Sequence, residues 1–263
     1  MRYVCDNDLH IHSEISLCSN DPEQSTERIL AYAKENSLKT ICLTDHFWDE
    51  RVPCGLDWYV PQNFEHICAA KPLPQADGIR FLFGCETEMD KNMTLGISRE
   101  RFEEFDFVVI PTTHFHMTGF TIPEDVVSPQ QKADFWFEKL NALLDMDLPF
   151  HKIGIAHLTC GLIDRNRDNF LKTIDLLDSD ALKRVFSKAA EKGVGIELNS
   201  DDMSFKDYER ETVLRPYEIA RDMGCKFYCG SDAHHPKTLD GAKKIFERAV
   251  GLLGLTEDDK LVI

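Results

Sequence analysis

The sequence predicts an α/β fold in which about seven parallel strands, separated by helices, close into a TIM-like barrel. Short apolar runs recur along the whole chain, and amphipathic helical patterns separate most of them. Nearly every apolar run ends in a histidine, an aspartate or a glutamate. Barrel enzymes place their reactive groups at the carboxyl ends of the strands, so this regular placement supports a barrel and indicates one common site.

The first half of the chain predicts four of the strands, because it contains four short apolar runs. They are expected at residues 4–10, 40–44, 79–85 and 105–110. A helix is expected at residues 25–36, where Ser25 and Thr26 offer a cap for the first turn. A shorter helix is expected near residues 62–70, inside an irregular, proline-containing segment over residues 49–74.

The second half predicts the remaining strands, at residues 152–156, 193–199 and 226–229. A long helix is expected over residues 129–146, where Ala133, Phe137, Leu140 and Leu144 recur at helical spacing. A loop and a helix are expected between the strands at 152–156 and 193–199. Further helices are expected at residues 212–223 and 239–253. The alternation of strand and helix is typical of repeated βα units.

Composition limits the function classes. The chain has 263 residues, 43% of them hydrophobic and 29% charged, which is typical of one large globular domain or two small ones. No apolar run reaches the roughly 20 residues of a membrane span, and the N-terminal residues lack a signal-peptide pattern, so residence in the cytoplasm is expected. The nine cysteines are expected to be reduced thiols. A net charge of −16 argues against long nucleic acids as partners but permits a small phosphorylated ligand.

The stretch Asp8-Leu9-His10-Ile11-His12-Ser13 carries the first candidate site residues. Residues two apart on a strand point the same way, so His10 and His12 would present two imidazoles side by side. Neutral imidazole is the commonest nitrogen ligand for metals. Two nearby histidines are weak support on their own, since most such pairs are surface or helix-cap residues. The other strand ends strengthen the metal hypothesis.

The strand ends together supply a mixed set of nitrogen and carboxylate groups. The set is His10, His12, Asp45, His46, Glu86, His114, His157, Asp232 and His234. This mixture suits zinc, manganese or iron and is too rich in nitrogen for calcium or magnesium. It exceeds one tetrahedral site, so the sequence predicts two or three divalent ions. Glu86 is the only acid that stands alone at a strand end, and we expect it to bridge two ions.

At these residues the sequence resembles the PHP family, the polymerase and histidinol phosphatase metallohydrolases. The resemblance rests on the first motif, Asp8 to Ser13, and on Thr44-Asp45-His46, Gly84-Cys85-Glu86, His114, Gly154-Ile155-Ala156-His157 and Gly230-Ser231-Asp232-Ala233-His234. These motifs follow the family's order and spacing and span nearly the whole chain. The resemblance implies a distorted (β/α)7 barrel, a single domain over residues 1–263 and a trinuclear metal centre.

The resemblance also implies ligands for each ion. His10, His12, Glu86 and Asp232 would hold the first ion, and Glu86, His114 and His157 would hold the second. The third would be held by His46 and His234. The family usually adds a histidine or aspartate where this chain has Cys18, which is also a competent zinc ligand. Asp21, on the same loop, is an alternative. Asp8 and Asp45 are expected to orient imidazoles rather than to bind metal.

The implied reaction is hydrolysis of a small phosphomonoester such as histidinol phosphate. A hydroxide that bridges two metals would attack phosphorus, with Glu86 and Asp232 as the catalytic carboxylates. Arg165 resembles a phosphate-facing arginine of the family's histidinol phosphatases, and Lys237 is a second candidate cation. The other expected substrate contacts are His116, Glu197 and Asn199.

Three alternatives stay open at this point. A phosphodiesterase or nuclease of the same family would act on small nucleotides. A metal hydrolase of the amidohydrolase type also begins with two histidines around one residue, but we find no strand-end lysine to serve as its carbamylated bridge. A non-catalytic metal-binding or regulatory module is the third. The sequence does not specify the oligomeric state.

Overall fold

A parallel sheet that curls almost into a closed barrel forms the centre of the molecule. The computed structural model describes residues 1–19 and 21–263. In this part of the chain, seven parallel strands follow one another in the order β1-β2-β4-β5-β6-β7-β8, and the short β3 pairs with β4. The last strand returns to the side of the first. The predicted distorted (β/α)7 barrel is confirmed.

The described residues form eight strands and seven α-helices. The strands are β1 (Asn7–Ile11), β2 (Thr40–Leu43), β3 (His46–Phe47), β4 (Arg80–Thr87), β5 (Phe107–Pro111), β6 (Ile153–Ala156), β7 (Gly195–Asn199) and β8 (Lys226–Gly230). The helices are α1 (Thr26–Glu35), α2 (Phe64–Cys68), α3 (Pro129–Asp145), α4 (Arg167–Asp175), α5 (Ser179–Lys192), α6 (Arg210–Asp222) and α7 (Pro236–Leu253). Single 3-10 turns cover Arg99–Glu104, Phe150–Lys152, Asp207–Glu209 and Glu257–Asp259.

The structure differs from the predicted elements at a few ends. Strand β1 begins at Asn7 rather than at residue 4, because the preceding residues run beside the C-terminal segment, where Arg2 forms a bridge with Thr256. Two helices, not one, connect β6 to β7. The side chain of Asp178 caps the second of these helices by accepting a hydrogen bond from the amide of Ala181, and it thereby separates α5 from α4.

The short strand β3 was not predicted, and it brings a candidate ligand into the site. The chain leaves β2 at Thr44, whose hydroxyl accepts a hydrogen bond from the amide of Ile11. It rejoins the sheet two residues later, where His46 lies opposite Glu86 on β4. This interruption therefore sets the imidazole of His46 beside the carboxylate of Glu86.

The seam between β8 and β1 explains why the barrel is distorted. Side chains replace part of the regular backbone pairing here, since Asn7 and Asp8 accept hydrogen bonds at 2.9 Å from the amides of Cys229 and Ser231. Beyond this point the backbones pair directly, and the amide of Asp232 donates to the carbonyl of His10 at 2.7 Å. The seam therefore joins the first and the last motifs of the sequence.

Packing inside the barrel depends on two glycines, which leave room for neighbouring side chains. A Cβ atom at Gly154 would overlap the ring of Tyr228, which crosses the barrel interior. A Cβ atom at Gly230 would overlap the carboxylate of Glu197. Outside the sheet, the helices bury one apolar face each against the strands. Among the described residues, we find no helix with the length and apolar character needed to cross a membrane.

Candidate metal centre

The resemblance implied nine metal ligands. Eight of them, all except Cys18, lie together at the carboxyl ends of the strands. They form three overlapping groups: the four-residue group of His10, His12, Glu86 and Asp232; the Glu86 triad of Glu86, His114 and His157; and the three-histidine group of His12, His46 and His234. Within each group the candidate ligand atoms lie within 4.8 Å of one another. The first two groups have the membership that the resemblance implied, although metal binding by them stays a prediction.

Glu86 connects two of these groups. Its side chain is buried, and Oε2 lies 2.8 Å from Nδ1 of His46 and 3.3 Å from Nε2 of His12. Even so, neither carboxylate oxygen has a hydrogen-bond partner among the described residues. A buried carboxylate without donors is costly unless a cation compensates it. Glu86 therefore has the surroundings of a metal ligand rather than those of a structural carboxylate.

The imidazoles of the four-residue group converge on the same point. The Nε2 atoms of His10 and His12 lie 3.1 Å apart, and Oδ1 of Asp232 lies 3.4 Å and 3.1 Å from them. Two nitrogens bound to one tetrahedral zinc ion are about 3.4 Å apart, since each lies about 2.1 Å from the metal. These residues fit a divalent transition metal such as zinc, manganese or iron, and their donor atoms match the preferences of those ions.

Two candidate ligands have unusual backbone conformations. His157 and Asp232 have φ angles of 61° and 52°, in the left-handed region that residues other than glycine rarely adopt. Each follows the end of a strand, β6 or β8. Such conformations cost about 1–3 kcal/mol each and persist where the surrounding structure holds them, most often at functional sites. Here the turn directs both side chains toward the other ligand residues.

Buried carboxylates hold two of the imidazoles from behind, and a third imidazole lies near another buried carboxylate. The Nδ1 atom of His10 lies 2.6 Å from Glu197, and that of His114 lies 2.5 Å from Glu88. The Nδ1 atom of His157 is 3.6 Å from Asp202. Carboxylate partners of this kind fix the ring orientation and make the ligand nitrogen more basic. The imidazoles of His10 and His114 are therefore held in place for binding through Nε2.

The two aspartates predicted to orient imidazoles act less directly. Asp45 accepts a hydrogen bond at 2.7 Å from the hydroxyl of Ser16, which itself lies 3.1 Å from Nδ1 of His12. Asp8 supports the seam, because it accepts hydrogen bonds from the amide of Ser231 and from the hydroxyl of Tyr32. Burial raises the pKa of Asp8 to about 6. Asp45 thus reaches an imidazole through a serine, whereas Asp8 stabilises the backbone beside Asp232.

The electrostatics of the cluster favour a cation. Burial lowers the pKa of His10, but the carboxylates of Glu197, Asp232 and Glu86 outweigh it and raise that pKa well above its usual range. The reverse holds for Glu86: burial raises its pKa, yet His46 and His10 hold it well below its usual range. Carboxylates that remain ionised inside the protein create a strong field for positive charge.

The third predicted metal site has a different membership from the one expected. Cys18 lines the pocket above the cluster, but its thiol belongs to none of the metal-compatible groups among the described residues, and His12 completes the group of His46 and His234 instead. The rings of His12 and His234 stack with centroids 4.1 Å apart. Asp21 lies 3.3 Å from His235 and outside every such group. Metal binding by Cys18 stays a prediction.

A cavity of about 390 Å³ opens above the cluster. This volume lies within the range of small-molecule sites. Its floor consists of candidate metal ligands. Its walls are Cys18, Leu56, Trp58, Tyr59, His116, Met117 and Leu162. The predicted contact His116 thus faces the cavity, and burial, followed by the charge of nearby His114, lowers the pKa of its imidazole to about 4.

The other predicted substrate contacts do not line this cavity. Asn199 is fully buried and donates a hydrogen bond to Glu197, and Glu197 contacts His10, so neither side chain lines the cavity and substrate contact by them stays a prediction. Lys237 is exposed and lies near Asp21, outside the cavity lining. Arg165 is exposed as well, but it lies close enough to His116 to influence that imidazole. A phosphate contact by Arg165 stays a prediction.

Sequence reasoning missed Glu88 and Asp202 as partners of histidines. Glu88 follows Glu86 by two residues, and the alternation along β4 would have directed both toward the same face. Asp202 lies in a loop 45 residues from His157, so only the fold brings them together.

We expect Glu197→Gln to weaken metal binding by about 10- to 100-fold, because loss of a carboxylate behind a ligating imidazole has effects of this size. The amide keeps the shape of the side chain but carries no charge toward Nδ1 of His10, 2.6 Å away. Titration of zinc or manganese against a competing chelator measures the change. Glu191→Gln, at an exposed position of α5, is the matched control. Equal metal affinity in the two variants would remove Glu197 from this role.

Comparisons with known proteins point in one direction. The family model described as "PHP domain" matches residues 8–201. A "Probable phosphatase" of Caldicellulosiruptor saccharolyticus is 20% identical over 244 residues, which cover 91% of this chain and 86% of that protein. The family match ends before Asp232 and His234, which the fold nevertheless brings to the other candidate ligands.

A solved structure has a similar fold. It is histidinol phosphate phosphatase from Lactococcus lactis, in complex with zinc, L-histidinol and phosphate. The TM-score is 0.59, the sequence identity is 16%, and the match covers 94% of each chain. At this identity the likeness establishes the fold of the barrel.

Proposed function

The chain belongs to the PHP domain family, and on that basis we propose that it is a metal-dependent phosphatase that hydrolyses small phosphomonoesters. The observation that carries the proposal is the buried carboxylate of Glu86, which accepts no hydrogen bond from the described residues and belongs to two metal-compatible groups. A phosphatase named as similar, and a neighbour solved with zinc and phosphate, support the same reaction class.

Some residues of the site would hold cations, and others would hold the substrate. The four-residue group and the Glu86 triad would hold two divalent ions that share Glu86, and the three-histidine group would hold a third. When bound, these ions would lower the pKa of water to supply the nucleophile and would offset the charge of the phosphoryl group. Glu86 and Asp232 keep these positions charged, and Glu197 and Glu88 fix the imidazoles of His10 and His114.

The cavity and the charge of the chain favour a small monoester. The cavity of about 390 Å³ has the metal-compatible groups as its floor, so a terminal phosphoryl group would lie at the bottom and the organic part against the walls. Arg165, whose charge reaches His116 in the cavity wall, would contribute positive charge toward the phosphoryl group. The net charge of −16 disfavours long nucleic acids.

The amidohydrolase alternative finds no support in the described residues. Such a site would place a modified lysine between two metals, yet no lysine lines this cavity in the described part of the chain. The buried Lys139 on α3 donates its hydrogen bonds to the carbonyls of Met89 and Thr121 instead. Glu86 would take the bridging position, because it belongs to two metal-compatible groups.

The test is release of inorganic phosphate from a panel of phosphomonoesters, including histidinol phosphate, and of phosphodiesters, with added manganese or zinc. We expect the native protein to prefer monoesters and His12→Ala to lose at least about 100-fold in kcat/KM. His151→Ala, at an exposed position in the 3-10 turn that precedes β6, at the opposite end of that strand from His157, should behave as the native protein. Selective turnover of diesters would move the function to small-nucleotide diester hydrolysis. Absence of phosphate release from every ester in the panel would contradict phosphatase activity and would favour the amidohydrolase and non-catalytic alternatives.

A further inference from the structure

The side chains of the cavity walls indicate which kind of organic group the substrate has. The loop between β3 and α2 supplies Leu56, Trp58 and Tyr59, and the loops after β5 and β6 add Met117 and Leu162. These side chains form an apolar face directly above the candidate ligands. The ring of Trp58, for example, lies 5.3 Å from the ring of His46.

All of this apolar face except Leu162 belongs to a small hydrophobic cluster that is separate from the main core. Trp48, Tyr59 and Phe120 form its buried centre, and Leu56, Trp58 and Met117 pack on it while they remain partly accessible. Tyr59 also donates a hydrogen bond at 3.2 Å to the same oxygen of Glu88 that holds His114. The face is therefore anchored to the metal-compatible cluster, and its position is set before a ligand arrives.

The described lining carries little charge beyond the candidate metal ligands. Its only carboxylates are Glu86 and Asp232, both of which face the metal-compatible groups. It contains neither lysine nor arginine, and apart from the metal-compatible groups its remaining residues are Cys18, His116 and the apolar and aromatic side chains of the wall. A charged amine on the substrate would lose water against the apolar walls without gaining a carboxylate partner.

We propose that this site selects phosphomonoesters whose alcohol part is uncharged and apolar, over esters that carry a cationic amine. The proposal rests on the phosphatase function proposed above and specifies its substrate class. A branched alkyl or aromatic group would pack against Trp58, Met117 and Leu162, and apolar contacts of this kind change kcat/KM by about 10- to 200-fold between related substrates. A substrate with a charged amine, as in histidinol phosphate, would fit these walls poorly.

The ring of Trp58 could also attract a cationic substrate, which is the opposite of the proposed selectivity. Tryptophan can hold a cation over its ring face, so Trp58 alone would favour an ammonium group. The two possibilities are separated by a pair of esters with equal shape: 3,3-dimethylbutyl phosphate and phosphocholine, which differ by a carbon in place of a positively charged nitrogen. Choline is the better leaving group, so intrinsic reactivity favours the cationic ester.

We expect kcat/KM for 3,3-dimethylbutyl phosphate to exceed that for phosphocholine by at least about ten-fold, measured as phosphate release with added manganese or zinc. Leu162→Asp places a carboxylate in the wall and should lower this preference by about two- to five-fold, as expected for a partly exposed ion pair. Leu176→Asp is the matched control, because Leu162 and Leu176 are both 36% exposed and Leu176 directly follows α4, outside the described lining. It should leave the preference unchanged.

The outcomes separate the two proposals. Equal turnover of the two esters, or a preference for phosphocholine, would overturn the inference about the alcohol part while phosphate release itself upheld the phosphatase function. A preference that Leu162→Asp and Leu176→Asp change equally would also overturn it, because the wall would then not be the cause. Absence of phosphate release from both esters and from the wider panel would overturn the phosphatase function and this inference together.

Discussion

Replacement of Glu86 by glutamine should lower kcat/KM for a phosphomonoester by at least about 1,000-fold and reduce the metal content of the purified protein. Loss of one preorganised electrostatic contact typically costs about 100- to 1,000-fold, and Glu86 would contact two ions at once. The carboxylate lies 2.8 Å from His46 and 3.3 Å from His12, and glutamine would direct an uncharged amide at these imidazoles. The side chain keeps its size, so the barrel should still fold.

The measurement pairs phosphate-release kinetics with metal analysis by mass spectrometry. Glu103→Gln, an exposed position in the 3-10 turn after β4, controls for the chemistry of the substitution. Circular dichroism checks that both variants are folded. Native metal content in Glu86→Gln would contradict the assignment of Glu86 as the shared ligand, whatever the kinetics show.

Removal of metal by a chelator should abolish activity and lower the midpoint of thermal unfolding by about 5–10 °C. An ion present at about 100 times its dissociation constant stabilises the native state by about 2.7 kcal/mol. In a protein of this size, each kcal/mol shifts the midpoint by about 2–4 °C. The physical cause is the buried, ionised Glu86, whose oxygens have no hydrogen-bond donor among the described residues to replace the cation.

Addition of excess zinc or manganese after the chelator should restore both activity and the unfolding midpoint. His12→Ala serves as the comparison, because His12 belongs to both the four-residue and the three-histidine groups. Its unfolding midpoint should respond much less to the chelator. An identical midpoint of the native protein with and without chelator would show that no tightly held ion contributes to its stability.

The residues at the strand ends show how much of this site could be predicted from the sequence. Strand alternation and the position of each polar residue after an apolar run predicted that the strand-end residues share one site, and the family resemblance implied the grouping of His10, His12, Glu86 and Asp232. These four residues do form one metal-compatible group. The prediction succeeded because the carboxyl ends of parallel strands meet at one face of a barrel, whatever the details of the loops.

Contacts behind that face were much harder to predict. Glu197 and Asn199 also end a strand, and the sequence does not show that their side chains bond to His10 and to each other rather than to a ligand. Their orientation depends on what else fills the barrel, including the space left by Gly230. The wall around Trp58 lies in an irregular loop, where no periodic pattern indicates which side chain faces the cavity.

The seam between β1 and β8 implies an order of assembly. The first strand supplies His10 and His12, whereas Asp232 and His234 follow the last strand, and hydrogen bonds such as that from the amide of Asp232 to the carbonyl of His10 join them across more than 200 residues of sequence. In a chain that is still being synthesised, His10 and His12 are therefore present long before Asp232 and His234. The four-residue group becomes complete only after residue 232 is free to fold, so an ion held by all four residues would be captured at the end of synthesis rather than at its beginning.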